Sequence, residues 1–476
     1  MRRRDFLKAI GYGTVSLTTL SFSSLGQAAG RKKPNVVFIL ADDLGYAEVG
    51  CYGQKKIRTP HIDALAVQGL RFTQAYSGNP VCAPSRCTLM TGLHTGHSQI
   101  RSNKELGGTE GWKLGSTIGG QWPLEEGTFT VAKMFQQAGY TTGAFGKWGL
   151  GRVPTTGDPQ KQGFDHFFGY ICQRQAHTFY PNHLWKDGQI FWIEENKDGA
   201  ERVYSHDLIA EEALKFIHTN KDRPFFLYVP FTIPHVALQV PEDSLAEYKG
   251  LWPDPPYDGK KGYIPHEHPR ACYAGMVTRM DKDVGRIMAT LKDLDLDNNT
   301  LVIFTSDNGP TYAGGADSTF FESAGPLRGL KGSVWEGGIR VPFIARWPGK
   351  IEPGTETDQV TAFWDFLPTC AQLLDVTAPD GLDGVSILPT LLAQSGQQQH
   401  KHLYWELRGQ RAARKGKWKA VRLKPGQKTQ LFDLDADVGE QNNVAAQYPE
   451  VLAQMEEILE KGRTPSKVFP MPKPKA

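Results

Sequence analysis

The sequence predicts an α/β fold: a three-layer α/β/α sandwich with a large, mostly parallel central sheet, followed by a smaller C-terminal α+β subdomain with an antiparallel sheet. Continuous apolar runs of strand length recur along the chain, which is typical of strands buried on both faces of a parallel sheet. Helical patterns separate these runs, as they do in three-layer α/β domains. After about residue 390 the strands become short and alternating, which predicts the subdomain.

Four apolar runs are the predicted strands of the central sheet. The first is NVVFILADD at residues 35–43, which ends in Asp42 and Asp43. Because ligands gather beyond the carboxyl ends of the strands in such sheets, polar residues at those ends are candidate site residues. The other runs and their polar ends are TTGAFGKWG at 141–149 with Lys147, RPFFLYVPFTIPH at 223–235 with His235, and LVIFTSDNG at 301–309 with Asp307 and Asn308.

Helices are predicted where apolar residues recur at intervals of three and four. Gly69 and Gly139 lie near the ends of two of these patterns, which is typical of helix C-termini. The predicted helices of the large domain cover residues 59–72, 128–140 and 272–294.

The predicted subdomain follows the polar stretch AQSGQQQHKH at 393–402. Its short alternating segments LYWEL, KWKAVRL and TQLFDL predict an antiparallel sheet. A helix is predicted at 448–462, with Pro449 in its first turn. The chain is therefore divided into a signal at 1–29, a large α/β domain at 30–392 and a C-terminal α+β subdomain at 393–476.

Residues 1–29 have the layout of an export signal. They open with MRRRDFLK, continue with a weakly apolar run and end in small residues. This order resembles a twin-arginine signal, which exports folded proteins, and an ordinary Sec signal is the alternative. Since no other long apolar run appears, we expect a bacterial protein without a membrane span. We expect it to be periplasmic or secreted and to use the twin-arginine export machinery.

Composition excludes several classes of partner and cofactor. The formal charge of the 476-residue chain is only +3, so a nucleic-acid partner is not expected. The histidines do not fall at ligand spacing around the cysteines, which argues against a zinc site. No disulfide connectivity follows from the six cysteines, at 51, 82, 87, 172, 272 and 370.

Two pairs of oxygen-bearing residues end buried strands. These pairs, Asp42 with Asp43 and Asp307 with Asn308, offer only oxygen ligands. Such ligands suit a hard divalent cation, and a crowded, water-poor site favours Ca²⁺ over Mg²⁺. Either pair alone would more often be structural, because such pairs are common in turns and helix caps. Their recurrence at two strand ends favours a metal site.

A basic group accompanies these acids. A cation and several basic side chains would together form a pocket for an anion with several charged oxygens, such as a sulfate or phosphate ester. Singly, each side chain would be an ordinary surface charge. The group consists of Arg86, Lys147, His235 and Lys331.

Residues 82–92, CAPSRCTLMTG, match the pattern C-x-P-S-R-x-x-x-x-T-G at every defined position. The chain thereby resembles the type I, formylglycine-dependent sulfatases of the arylsulfatase family and the alkaline-phosphatase-like superfamily. The resemblance continues through GKW, PH, SDNG and KGSVWEGGIRVP to LFDLDADVGEQNNVA, and so covers nearly all of the mature chain. It implies that residues 30–392 are a sulfatase catalytic domain.

The resemblance implies a modified nucleophile at Cys82. In this family a maturation enzyme, the formylglycine-generating enzyme, oxidises the motif cysteine to 3-oxoalanine (Cα-formylglycine). Cys87 falls on a variable position of the motif and is therefore expected to be structural. The hydrated aldehyde carries two hydroxyls on one carbon, one to attack sulfur and one to expel the sulfate.

The resemblance also assigns roles to the acids and the basic group. Arg86 and Lys147 would steady the formylglycine oxygens. His235 and Lys331 would hold the sulfate, and His235 would protonate the departing alcohol. Asp307 is also a candidate proton acceptor. One Ca²⁺ per chain would be bound by Asp42, Asp43, Asp307, Asn308 and an oxygen of modified Cys82.

One position departs from the family pattern. The family usually reads GKWHLG, whereas this chain reads GKWGLG, with Gly149 in place of the histidine. A nearby stretch at 170–185 offers polar side chains to replace it, and we expect His177 or Gln173 to reach the pocket and contact the sulfated sugar or the sulfate. The alternative for His177 is an ordinary hydrogen-bonded loop histidine. The candidates in this stretch are Gln173, Arg174, His177 and His183.

The expected substrate is a sulfated glycan of galactose or N-acetylgalactosamine type. Long loops at 101–127 and 149–200 would form a sugar cleft. One alternative is a phosphate or phosphonate monoester hydrolase of the same superfamily. Another is a non-catalytic glycan-binding relative, for which Gly149 is the hint. The tryptophans that would stack on sugar rings are Trp112, Trp122, Trp185 and Trp192.

Overall fold

A large mixed sheet lies at the centre of the protein. The computed structural model describes residues 33–106 and 120–474, so the predicted signal at 1–29 and Trp112 lie outside the described residues. In chain order the strands are β1 (Asn35–Ala41), β2 (Leu70–Phe72), β3 (Ala75–Tyr76), β4 (Thr141–Lys147), β5 (His166–Tyr170), β6 (His183–Lys186), β7 (Gln189–Trp192), β8 (Phe225–Pro230), β9 (Thr300–Ser306), β10 (Phe343–Arg346), β11 (Thr355–Thr357), β12 (Thr361–Ala362), β13 (Leu403–Leu407), β14 (Gln410–Lys415), β15 (Trp418–Arg422) and β16 (Gln430–Asp433).

Helices of very different length connect these strands. The α-helices are α1 (Pro60–Val67), α2 (Cys82–Thr91), α3 (Val131–Gln137), α4 (Ser205–Asn220), α5 (Glu242–Ala246), α6 (Pro269–Asp293), α7 (Glu336–Ile339), α8 (Phe366–Leu374), α9 (Leu388–Leu391) and α10 (Pro449–Lys461). Short 3₁₀ helices cover Gly50–Tyr52, Gln175–His177, Glu194–Gly199, Asp297–Asn299 and Phe363–Asp365.

The middle of the large sheet is parallel, and antiparallel pairings flank it on both sides, whereas the edge strand β11 runs parallel to β2. Among the described residues it has ten strands in the order β11-β2-β10-β9-β1-β8-β4-β5-β6-β7. The neighbours β9, β1, β8, β4 and β5 run parallel. Strands β10, β6 and β7 join antiparallel to their inner neighbours. The carboxyl ends of the five parallel strands therefore meet at one edge of the sheet.

Alternating residues of β1 face two different cores. Val37 and Ile39 pack with α1, α4 and α6, whereas Val36 and Phe38 pack with α2, α3 and α8. A strand that is apolar at every position is what a sheet covered on both faces requires. The α/β/α sandwich predicted from the sequence is thus confirmed.

The C-terminal part forms the predicted antiparallel sheet. Strands β13, β14, β15 and β16 pair in chain order. One face of this sheet packs on α10 through residues such as Leu431 and Met455. The other face packs on the large domain through Trp405, whose indole Nε1 donates a hydrogen bond to the Ser77 carbonyl at 3.0 Å. Residues from Pro34 onward form one compact unit, and the boundary at 392/393 stays a prediction.

A buried ion cluster joins the small sheet to the large domain. Lys419 of β15 is fully buried, and its Nζ lies 2.8 Å from Glu336 Oε1 and 2.9 Å from Glu440 Oε1. Glu336 begins α7, five residues after Lys331, and its Oε2 also accepts a hydrogen bond from the Tyr76 hydroxyl at 2.6 Å. Removing one member of such a cluster would leave a buried charge without a partner. The cluster therefore fixes the 331–336 segment against the C-terminal sheet.

Local predictions differ from the structure in several respects. Residues 149–200, predicted to be a long loop, contain the strands β5, β6 and β7. The helix predicted at 59–72 ends at Val67, and residues Leu70–Phe72 are a strand because they pair with both β10 and β11. Strand β14 was not predicted, since three of the six residues in its sequence QRAARK are basic. Within this strand Arg411 and Arg414 are buried, and their guanidinium groups donate hydrogen bonds to Glu460 and Tyr76 respectively.

Two further findings concern the state of the cysteines and the length and polarity of the helices. All six cysteines are free, and five of them are buried. Cys87 lies in the core between α2 and the sheet, as expected for a structural residue. Among the described residues, no helix is both long enough and apolar enough to cross a bilayer.

Candidate active site

The carboxyl ends of the parallel strands bring the predicted acids together. Asp42 and Asp43 follow β1, and Asp307 and Asn308 follow the neighbouring strand β9. The register pairs Ala41 with Ser306, and the Asp307 N–H donates to the Ala41 carbonyl at 3.0 Å. All four side chains are fully buried. The prediction that these residues lie side by side at one sheet edge is therefore confirmed.

Cys82 is the first residue of α2 and lies between an acid and a base. Its Sγ is 3.4 Å from Asp42 Oδ1 and 3.6 Å from Lys147 Nζ. Burial, reinforced by the negative charge of Asp42, raises the pKa of the Cys82 thiol far above its usual value. Because the thiolate is the nucleophilic form of cysteine, the unmodified side chain is not activated here.

Two basic residues hold the acids on one side of Cys82. Lys147, the last residue of β4, donates from Nζ to Asp42 Oδ2 at 2.6 Å. Arg86, one turn along α2, places Nη2 2.7 Å from Asp307 Oδ2 and 3.5 Å from Asp42 Oδ2. Both basic side chains are almost completely buried, so their charges are compensated by these carboxylates rather than by water.

The side chain of Asp43 contacts the remaining predicted residues. Its Oδ2 lies 2.6 Å from Lys331 Nζ and 3.6 Å from His235 Nε2, and its Oδ1 accepts a hydrogen bond from Asn308 Nδ2 at 2.8 Å. The backbone of Asp43 is left-handed, with φ of 67°, an unusual conformation for a residue with a side chain. Its N–H donates to Asp307 Oδ1 at 3.1 Å, which holds this conformation.

Electrostatics favour a cation among these acids. Burial opposes ionisation of Asp42, but Lys147 and His235 outweigh it, so the pKa of that carboxyl lies far below its usual range. Burial and the neighbouring Asp42 charge raise the pKa of Asp307 to about 7. A divalent cation would relieve the repulsion that causes this rise.

The donor atoms fit a hard cation. Asn308 Oδ1 is buried and has no hydrogen-bond partner in the described part of the chain. A buried amide oxygen of this kind is costly unless a ligand satisfies it. Oxygen ligands of this type suit Ca²⁺. Ligand atoms of Asp42, Asp43, Cys82 and His235 all lie within 4.8 Å of one another.

Gln173 fills the space beside Gly149. A Cβ atom at position 149 would lie 1.8 Å from Gln173 Nε2, and Gly149 has a left-handed φ of 76°. Gln173 is only 4% exposed, yet neither its Oε1 nor its Nε2 has a partner among the described residues. Its backbone N–H donates to Gln121 Oε1 at 2.6 Å, which fixes the residue in place. An unpaired amide therefore lies beside the strand end that carries Lys147.

His177 lies against His235. Their rings stack with centroids 5.0 Å apart and an interplanar angle of 18°. Burial, together with the neighbouring His235, lowers the pKa of His177 to about 2, so the ring is neutral. The structure thus brings both Gln173 and His177 to the site, and the choice between their roles stays a prediction.

The other predicted substrate residues are engaged elsewhere. The guanidinium of Arg174 forms an ion pair with Glu105 at 2.9 Å. His183 contacts the Gln175 amide at 3.0 Å through Nε2. Trp185 and Trp192 lie on β6 and β7, the two outermost strands on their side of the sheet. Trp122 packs edge-on against Phe469.

One aromatic residue of the site was missed from the sequence. The ring of Tyr263 lies 5.2 Å from that of His177 and 6.5 Å from that of His235. Tyr263 also has a left-handed φ of 66°. It belongs to a loop without helical or strand periodicity, so no pattern in the sequence indicated its position.

Family models and curated relatives match almost the whole described chain. Residues 34–376 match the family model described as Sulfatase, and residues 331–465 match one described as N-sulphoglucosamine sulphohydrolase, C-terminal. The chain is 30% identical to the N-acetylgalactosamine-6-O-sulfatase of Bacteroides thetaiotaomicron, over 91% of this chain and 94% of that protein. It is 33% identical to arylsulfatase A of Homo sapiens, over 91% of this chain and 89% of that protein.

Solved structures are similar as well. The crystal structure of Ps i-CgsB in complex with k-i-k-neocarrahexaose superposes with a TM-score of 0.74 and 30% sequence identity, over 90% of this chain and 93% of that chain. The phosphonate monoester hydrolase of Agrobacterium radiobacter has a TM-score of 0.64 at 23% identity, over 90% of this chain and 95% of that chain. At that identity the second similarity concerns the fold alone.

Proposed function

Because the chain belongs to the sulfatase family, we propose that this sulfuric ester hydrolase acts through a formylglycine at position 82 and a bound Ca²⁺ on a sulfated glycan of galactose or N-acetylgalactosamine type. The family and the enzyme class predicted from the sequence are confirmed. One observation carries the proposal. The Cys82 Sγ lies within 3.6 Å of both an acid of the candidate metal site and a buried lysine.

The proposed metal site uses the acids at the strand ends. Asp42, Asp43, Asp307 and Asn308 would hold the cation, together with an oxygen of the modified residue 82. When bound, the cation supplies positive charge that polarises the sulfate ester and lowers the pKa of a nearby hydroxyl. The unpaired Asn308 Oδ1 and the raised pKa of Asp307 support this assignment.

The basic residues would position the nucleophile and the sulfate. Lys147 and Arg86 flank residue 82 and would orient its oxygens. Lys331 is the most accessible of the group, with 18% of its side chain exposed, and its ammonium would contact sulfate oxygens. Each donor is already held by a carboxylate, so little reorganisation is needed when an anion binds.

His235 is the proposed proton donor to the departing alcohol. Its Nδ1 lies within hydrogen-bond distance of the Val236 carbonyl, which only accepts, so Nδ1 carries a proton and Nε2 faces the site. Burial, with help from Lys331, lowers the pKa of His235 well below its usual value. The charge of a bound sulfate would oppose this effect and favour protonation at Nε2.

The substrate, maturation and export proposals rest on the relatives and on residues 1–29. The N-acetylgalactosamine-6-O-sulfatase and the carrageenan-oligosaccharide complex support a glycan substrate. We propose that a formylglycine-generating enzyme converts Cys82. We also propose that the twin-arginine machinery exports the folded enzyme to the periplasm or the medium.

A comparison of two esters with one leaving group tests the proposed function. With 4-nitrophenyl sulfate and 4-nitrophenyl phosphate, we expect kcat/KM to be higher for the sulfate by about 100-fold or more, which corresponds to about 2.7 kcal/mol. A preference for the phosphate would support the phosphoester alternative. Absence of turnover on both esters and on sulfated oligosaccharides, with glycan binding retained, would support the non-catalytic alternative.

We further propose that the Gln173 amide contacts the sulfated sugar or its sulfate. Gln173→Ala should lower kcat/KM for a sulfated sugar by about 10-fold or more, because the substrate loses a buried hydrogen bond. Steady-state kinetics on purified variants would measure this loss. Gln175→Ala is the matched control, since that amide is bound to His183. Unchanged kinetics in Gln173→Ala would exclude the contact, and unchanged turnover in His177→Ala would exclude the corresponding role for His177.

A further inference from the structure

A cavity of about 430 Å³ opens between the 101–104 loop, the β13–β14 hairpin turn and the 468–472 segment. We propose that this cavity is a subsite for a second anionic group, a sulfate or a carboxylate, on a sugar next to the one that carries the reacting sulfate. The inference rests on the proposed function and deepens it, because it assigns the substrate to multiply charged oligosaccharides.

Two walls of the cavity are hydrogen-bonded to segments of the candidate active site. Asn103, which lines the cavity, accepts a hydrogen bond through Oδ1 from the N–H of Ala83 at 2.9 Å, and Ala83 directly follows Cys82. The hairpin that forms another wall is anchored to the segment of Lys331, since Gln410 Nε2 donates to the Gly332 carbonyl at 2.9 Å. We therefore place the neighbouring sugar of the substrate along these two walls.

The lining carries an excess of positive charge. Arg101, Lys104 and Arg408 line the cavity, against one acid, Glu406. The Glu406 carboxylate is already engaged, because Arg463 Nε lies 2.8 Å from its Oε2 and Arg101 Nη1 lies 3.4 Å from its Oε1. The remaining positive charge is therefore available to an anion.

Arg408 is the lining cation best placed to bind that anion. Lys104 is held by the Val468 carbonyl at 3.2 Å and by the ring of Trp122 at 4.6 Å. Arg408 is exposed, and its guanidinium has no hydrogen-bond or ion-pair partner among the described residues. A guanidinium binds the paired oxygens of a sulfate or a carboxylate through two parallel hydrogen bonds.

The backbone at the hairpin turn supports a specific role for this residue. Arg408 and Gly409 both have positive φ, 49° and 94°. Two-residue turns of this type favour asparagine or aspartate before glycine, and a left-handed arginine costs about 1 kcal/mol or more. An arginine at this position is therefore unfavourable for the turn itself, which is consistent with selection for binding.

The test compares substrates with one and with two anionic groups. Arg408→Gln removes the charge, Arg408→Lys keeps it, and Arg223→Ala removes an exposed arginine beside the amino end of β8, at the opposite edge of the sheet. The substrates are 4-nitrophenyl sulfate, a monosulfated galactose disaccharide, and matched disaccharides with a second sulfate or with a uronic acid carboxylate. Steady-state kinetics are measured at low and at high salt.

We expect Arg408→Gln to raise KM for a doubly anionic disaccharide by about 5- to 20-fold and to leave kinetics on 4-nitrophenyl sulfate unchanged. High salt should raise KM more in the wild type than in this variant. Arg408→Lys should retain part of the preference, and Arg223→Ala should behave like the wild type. The disaccharide with the larger effect identifies the anion. If Arg408→Gln changes KM equally for singly and doubly anionic disaccharides, or does not change it, the subsite is overturned. If the wild type is inactive on all four substrates, the proposed function is overturned instead.

Discussion

Cys82→Ala is expected to abolish sulfate-ester hydrolysis and to leave the fold intact. The proposed nucleophile derives from this side chain, so kcat should fall by about 10⁴-fold or more. Cys82 belongs to the polar cluster around Asp42 rather than to an apolar core, so little packing is lost. Kinetics and thermal unfolding of the purified variant measure the two effects separately.

Cys87→Ala is the matched control for this prediction. Cys87 lies on the same helix and is also buried, but it packs in the core. Its replacement should reduce the free energy of unfolding by about 1 kcal/mol and retain turnover. Mass spectrometry of the proteolytic peptide that contains Cys82 should show a lighter species in active enzyme, because oxygen replaces sulfur and two hydrogens are lost. Activity in Cys82→Ala, or full activity with an unmodified peptide, would refute the assignment.

Asp42→Asn is expected to abolish calcium binding and to reduce turnover by about 10³-fold or more. Asp42 contacts Cys82 and Lys147 and would ligate the cation, so its charge serves both the metal and the nucleophile. Titration calorimetry with Ca²⁺ measures the affinity. Calcium should raise the Tm of the wild type, since a ligand of the native state stabilises it, and should not raise the Tm of the variant.

The raised pKa of Asp307 predicts how the calcium affinity of this site depends on pH. The pKa of Asp307 is raised to about 7, so this carboxyl takes up a proton below that pH in the metal-free protein. Protons and cations then compete, and affinity should be weaker at pH 6 than at pH 8. Asp297→Asn is the control, because Asp297 pairs with Arg346 near the amino end of β9, outside the site. Full activity after chelation, or unchanged affinity in Asp42→Asn, would contradict the metal assignment.

Residues that follow regular strands could be predicted from the sequence. Asp42 and Asp307 end continuous apolar runs, and parallel strands end at one edge of a sheet, so periodicity alone brings the two acids together. Lys331 and Arg86 were grouped with the acids because of their charge, and only the resemblance to a family assigned their roles, because nothing in their local pattern places them beside the acids. Arg86 lies on α2 and Lys331 lies in a loop, and tertiary contacts bring both segments to the strand ends.

Residues in irregular segments could not be placed in this way. The side chain of Gln173 approaches Gly149 because the chain turns after β5, and a single sequence carries no signal for the direction of that turn. Tyr263 was missed for the same reason. Arg408 was not a candidate, because β14 was not predicted and its hairpin with β13 could therefore not be predicted either.

The burial of Cys82 limits when its thiol can be altered during the life of the chain. In the finished fold this residue is 1% exposed, so a second protein has no access to its sulfur. Lys419 and Glu440 lie close to the C-terminal end of the chain, and the segment of Lys331 is fixed when Lys419 pairs with Glu336 and Glu440. If an enzyme oxidises Cys82 as proposed, we expect it to act before this part of the chain has folded.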